Sequence, residues 1–146
     1  MGISPATIRA RIAAEISSDL TSFNESRWSV DLFGSDAQHV LHQSFAVGLG
    51  SSSVLQAARN RRHGGALAST QIVVRFAHRV RADNQVSDYD SALGSELSII
   101  AAVLSTSLVD IVGLEFKSVQ SRTVVPSGDW FLGSVLFDVQ HIFPTS

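Results

Sequence analysis

The side chains with the most chemistry to offer are five histidines and a small group of aspartates. His39 and His42 stand three apart. That spacing converges on a metal ion from one face of a helix and diverges across a strand. The residues around them alternate, with Leu41, Phe45, Val47 and Leu49 on one side and His42, Ser44, Ala46 and Gly48 on the other. A strand is therefore expected, and no metal site. His78 falls on the apolar side of another strand, where a hydrogen-bonded core histidine is the expectation. Asp83, Asp88 and Asp90 lack the glycine and terminal glutamate of a calcium loop. Ser87 with Asp88 and Asp90 suits a helix N-terminus, where hydroxyls cap and acids favour the dipole. Gly48-Leu49-Gly50-Ser51 is too short for a phosphate loop, and Ser51 to Ser53 lack a nucleophile elbow. The absence of cysteine removes thiolate ligands, a cysteine nucleophile and disulfides. No enzyme, cofactor or metal is expected.

Arginine is the remaining chemical signal. Between Leu55 and Ala82 lie six arginines and no acid: Arg59, Arg61, Arg62, Arg75, Arg79 and Arg81. Such a block can face a polyanion, or pair with acids on a neighbouring subunit. No aromatic residue interleaves Arg59 to Arg62, which favours the second. These six are the candidate lumen or partner contacts.

The elements that position them follow from periodicity. Ile72, Val74, Phe76, His78 and Val80 alternate with Val73, Arg75, Ala77, Arg79 and Arg81, giving a strand with an apolar and an arginine-bearing face. After a polar turn, Tyr89, Leu93, Leu97, Ile100 and Leu104 take helical spacing, and this stripe is expected to pack on the sheet. Upstream, Ser4-Pro5 opens a helix over residues 5–20, with Ile8, Ile12, Ile16 and Leu20 on one stripe. Residues 28–33 read as a weak strand. Residues 50–69 read as a long loop rich in Gly, Ser and Arg, with a short helix at 54–62, poorly ordered until the protein assembles. Strands are expected over 109–119 and 130–143, separated by a turn at Pro126 to Asp129. The second is apolar on both faces, so it is central or covered.

The order implies one α+β domain over residues 1–146, with an antiparallel or mixed sheet of four to five strands against two helices and one long loop. The chain is 45% hydrophobic but only 16% charged, against roughly 25% charged in an average domain. So little charge suggests surface hidden against other copies. No apolar run approaches a membrane span, so a protein made in a cytoplasm, without membrane contact, is expected.

Residues 73–100, VVRFAHRVRADNQVSDYDSALGSELSII, resemble the tail terminator (tail completion) proteins of long-tailed bacteriophages. The resemblance rests on Arg75, Phe76 and Arg79 of the strand, on the Asp88-Tyr89-Asp90 helix start, and on Leu93, Glu96 and Ile100. It is detailed over about thirty residues and covers the rest in outline. It implies a virion protein that forms a ring, expected to be a hexamer. That ring would cap the tail tube protein, end its polymerisation and meet the head-tail connector, with DNA passing through the lumen without sequence specificity. Head-closure or neck proteins of the same virions, and a nucleic-acid-binding module using the arginine block, are the alternatives.

Overall fold

The computed structural model describes residues 2–26, 42–56, 65–108, 111–125 and 130–144. Helix α1 (Pro5–Asp19) starts where the sequence places it: the Ser4 hydroxyl accepts from the Thr7 N–H, and Pro5 opens the first turn. A two-residue strand β1 (Asn24–Glu25) follows. Then come β2 (Ser44–Gln56), β3 (Gly65–Arg79), a 3-10 turn (Ala82–Asn84), helix α2 (Gln85–Leu104), β4 (Ile111–Val124) and β5 (Trp130–Pro144). The expected strand at 28–33 and the turn at Pro126 to Asp129 lie outside the described residues.

The five strands form one sheet in the order β1-β2-β3-β5-β4. Only the β1–β2 pair is parallel, so the sheet is mixed. β5, apolar on both faces in sequence, lies between β3 and β4. Its Phe131, Val135, Phe137 and Val139 are fully buried, and Trp130, Leu132 and Leu136 are half-buried on the opposite face. Both helices belong to the first face. Their Ile8, Ile12, Ile16, Ile99 and Val103 join Phe45, Val47, Ile72, Val74 and Phe76 in one core. Packing there is close. A methyl at Gly133 would overlap the Phe76 ring, which is why glycine stands on this central strand.

Two expectations are corrected. The first is the loop at 50–69. Gly50 to Gln56 continue β2, and Gly65 to Ser69 begin β3, with Ser52 opposite Thr70 and Val54 opposite Ala68. The expected helix at 54–62 is likewise strand at its start; residues 57–64 lie outside the described residues. The stretch has no apolar alternation because this end of β2 rests on no core. Ser51 to Leu55 are all exposed, and main-chain pairing to β3 holds the segment, not burial.

The second correction is the α2 stripe. The residues turned to the sheet are Asp88, Ala92, Ser95, Glu96, Ile99, Ala102 and Val103. Leu97 is 67% exposed and Leu104 45% exposed, while Leu93 and Ile100 only flank the core. Small residues at the contact let the helix lie close on the strands. Of the expected stripe, Tyr89, Leu93 and Ile100 still touch the core, whereas Leu97 and Leu104 lie on the helix's outer flank.

Candidate functional site

Three of the six arginines, Arg75, Arg79 and Arg81, lie among the described residues. Arg59, Arg61 and Arg62 lie outside the described residues. Arg75 is half-buried on the sheet face away from the helices and is not free of partners. Arg79 is exposed; its backbone N–H donates to His42 Nδ1 at 3.0 Å. Arg81 is committed to Asp88. The Asp88 carboxylate accepts from the Arg81 backbone N–H at 2.9 Å, from its Nε at 3.0 Å and from its Nη2 at 3.2 Å. Asn84 Nδ2 adds a fourth bond at 3.3 Å. The guanidinium is the main reason the Asp88 carboxyl is lowered to about 2. Asp88 lies in the first turn of the helix, as expected of an acid near a helix N-terminus, but Ser87 is not the cap: Asn84 holds that position, with no side-chain cap bond. The helix begins earlier, at Gln85, and Asp88 ties its first turn to the end of β3.

The histidines serve the sheet. His42 and His78 stack edge to face with ring centroids 4.6 Å apart. His78 Nδ1 bonds the Arg79 carbonyl at 3.0 Å, as expected of a core histidine. Burial, then His78 and Arg79, lower the His42 pKa below its ordinary value. His141 is fully buried on β5; its Nε2 meets the Thr70 hydroxyl at 2.7 Å, and that hydroxyl meets Ser52 Oγ at 2.7 Å. Burial lowers the His141 pKa as well. Among the described residues no group of three or more His, Asp or Glu is placed to hold a metal ion. His39 and His63 lie outside them.

What the fold does assemble is apolar surface on two separate regions. On the first, the outer flank of α2 runs beside edge strand β4. Val86 is exposed, and with Val80, Gln85, Tyr89 and Val124 it lines an open groove of about 280 Å³. Tyr89 reaches inward to stack edge to face on Phe131 at 5.5 Å. Leu97 and Leu104 extend the apolar flank along α2, and Val112 and Phe116 are exposed on β4. A part-buried fork holds this region in shape: Arg122 donates from Nε to Glu96 Oε2 at 2.9 Å and from Nη2 to Glu96 Oε1 at 2.7 Å. The Glu96 side chain is only 4% exposed, so the bond is well placed to lock helix to strand. Sequence reasoning missed this pair. Its one signal was an acid at a helix position that the sheet-facing spacing makes internal.

The second region is the far end of the β2–β3 hairpin. Val54 is 64% exposed and Leu55 52% exposed, on opposite faces of the arm. Beyond Phe45 the outer edge of β2 has no strand neighbour among the described residues. β4, at the other edge of the sheet, carries three register irregularities together with Glu115, Lys117 and Arg122, features that discourage strand addition.

No family model and no curated protein sequence matches the chain. Among solved structures it is similar to a chain from the virion of a native gene transfer agent particle. The identity is 16%, over 92% of this chain and 93% of that chain, with a TM-score of 0.47. That score lies below the level of a shared fold.

Proposed function

We propose that the chain is a structural virion protein whose copies close into a ring at the end of a phage tail tube. The ring stops growth of the tube and joins it to the head connector, with DNA passing through its lumen. The observation that carries this reading is the pair of unlike apolar regions on one subunit, the α2–β4 flank and the β2–β3 arm. Unlike surfaces that meet copy to copy generate a heterologous contact, and a heterologous contact closes into a ring when its rotation permits. The resemblance of residues 73–100 to tail terminators supplies the place in the virion.

A head-closure role in the neck uses the same ring. Addition of purified protein to growing tail tubes separates the two: a terminator fixes tube length, whereas a neck protein leaves tubes growing. The nucleic-acid-binding reading draws on Arg79 and the Arg59 to Arg62 cluster, since Arg81 already serves Asp88. Its mark is DNA affinity in the monomer that falls steeply with salt. Light scattering on a sizing column, with electron microscopy of any ring, tests the main reading. A protein that stays monomeric when concentrated and with tail tubes present would refute it.

A further inference from the structure

We infer that the outer face of α1 on one copy receives the outer row of α2 on the next, with Leu97 and Leu104 seated along Ala6, Ala10, Ala14 and Ser18. This rests on the ring reading above and names the helices that meet in its contact.

The row comes from the spacing of α2. Val86, Asp90, Leu93, Leu97, Ile100 and Leu104 follow one another at alternating intervals of four and three. That is the spacing by which one helix lies along another. Leu93 and Ile100 touch the core from its margin. Val86, Leu97 and Leu104 are exposed.

The receiving surface is the side of α1 turned away from the sheet. Its exposed residues from Ala6 to Ser18 are Ala6, Thr7, Ala10, Ala14, Ser17 and Ser18. A helix that shows one side only to water carries charge on that side, and here there is none. Ala6, Ala10, Ala14 and Ser18 recur at every fourth residue and form a single low ridge. Bulky side chains of a second helix can lie down against its backbone. The two surfaces are opposite in relief, with large knobs on α2 and a flat bed on α1, and each runs for about three turns.

Charge fits the same pairing. Helix α2 carries Asp88, Asp90 and Glu96 and no basic residue. Asp88 and Glu96 are already bound to Arg81 and Arg122. Asp90 stands exposed within the row and makes no ion pair among the described residues. On α1, Arg9 and Arg11 border the ridge, one on each side. Arg9 meets Glu25 at 3.5 Å and Arg11 meets Glu15 at 3.1 Å, and both guanidiniums stay more than a third exposed. Surface pairs of this kind are weak, so either arginine can turn to Asp90 of an arriving helix. Two α2 rows meeting across a two-fold axis would instead bring acidic helices together with no base between them.

The placing suits a closed ring. Helix α1 packs on β1 and β2, the side of the sheet that carries the arm, whereas α2 packs on β3, β5 and β4. The ridge and the row thus belong to different sides of the subunit, and each can engage a different neighbour.

The chain contains no cysteine, so single introduced thiols report the contact without background. Ala10→Cys on the ridge and Leu97→Cys on the row are made separately, both at exposed positions. Circular dichroism checks folding, and light scattering sets a concentration at which both assemble as the parent does. A short bis-maleimide is then added to each variant alone and to the two mixed one to one. On denaturing electrophoresis each variant alone is expected to run at 15.6 kDa, and the mixture to give a dimer of twice that mass. An assembled mixture without that dimer places the contact elsewhere, and this inference fails while the ring reading stands. A dimer from Leu97→Cys alone means that row meets row, and one from Ala10→Cys alone that ridge meets ridge; either overturns it. A parent that is monomeric under all conditions overturns both readings. Should a cysteine disturb assembly, Ala14→Cys with Leu104→Cys gives the same comparison.

Discussion

The two sides of helix α2 differ in a way that residue size conceals. The side turned to the sheet is built from Ala92, Ser95, Ile99, Ala102 and Val103, with Asp88 and Glu96 at its margins. The outer flank carries Val86, Leu97 and Leu104. Within the subunit, the smaller side chains hold the helix down and the larger ones are spare. The lesson is that burial follows distance to the neighbouring strands. A helix lying close on a sheet wants small residues at the contact, and its bulky apolar residues are then left on the outside.

That contrast can be broken by experiment. The largest effect is expected at Ile99, which is fully buried. Ile99→Ala should cost about 2–5 kcal/mol of stability by leaving a cavity, read by urea denaturation. A loss no larger than that at Leu97 would mean the two sides are assigned wrongly. Next, Ser95→Leu should cost about 1–3 kcal/mol, because a bulky side chain at the contact pushes the helix off the sheet. A neutral result would show that the helix has room beneath it.

The margin of the buried side is open to pH. The folded Asp88 carboxyl sits at about 2, below its ordinary 3.8. A depressed carboxylate adds stability that is present above the ordinary value and is lost as pH falls toward the folded one. Asp88→Asn should therefore be less stable than the parent at neutral pH, with the gap closing between pH 3.8 and about 2. A gap that persists at the acid end would point to lost packing instead of lost charge. His141 acts in the same direction at higher pH. Its folded pKa is lowered, so its contribution is complete above 6.5 and declines as pH falls below it. The smallest change in stability is expected at Leu97→Ala, within about 0.5 kcal/mol, as for exposed positions generally. If that variant also lowers the mass of the assembled protein at fixed concentration, the outer flank is confirmed as contact surface.

Much of the frame was legible in the sequence. Ser4-Pro5 and the isoleucines of α1 gave helix, cap and buried stripe together, because an amphipathic helix over one core has a single apolar side. The alternation through Ile72, Val74, Phe76 and His78 was equally direct. The central place of β5 followed from apolar residues on both faces. The stripe of α2 misled because that helix has two apolar sides, and periodicity weights the larger residues. The segment at 50–56 misled for the opposite reason. A strand held by main-chain pairing and exposed on both faces has no pattern to read. Of the arginine block, what could not be read was that Arg81 is answered by Asp88 seven residues on. Glu96 and Arg122 come together only through the fold.

The order of strands in the sheet also sets a schedule. β5 lies between β3 and β4 yet follows both along the chain. While the chain is being synthesised, β3 lacks its second neighbour and β4 has nothing to pair with. Arg122 then has no fixed position from which to hold Glu96, and Val124 cannot close one wall of the groove. The arm needs only β2 and β3, which are adjacent in sequence and can pair early. The α2–β4 flank thus takes shape last, after the β2–β3 arm.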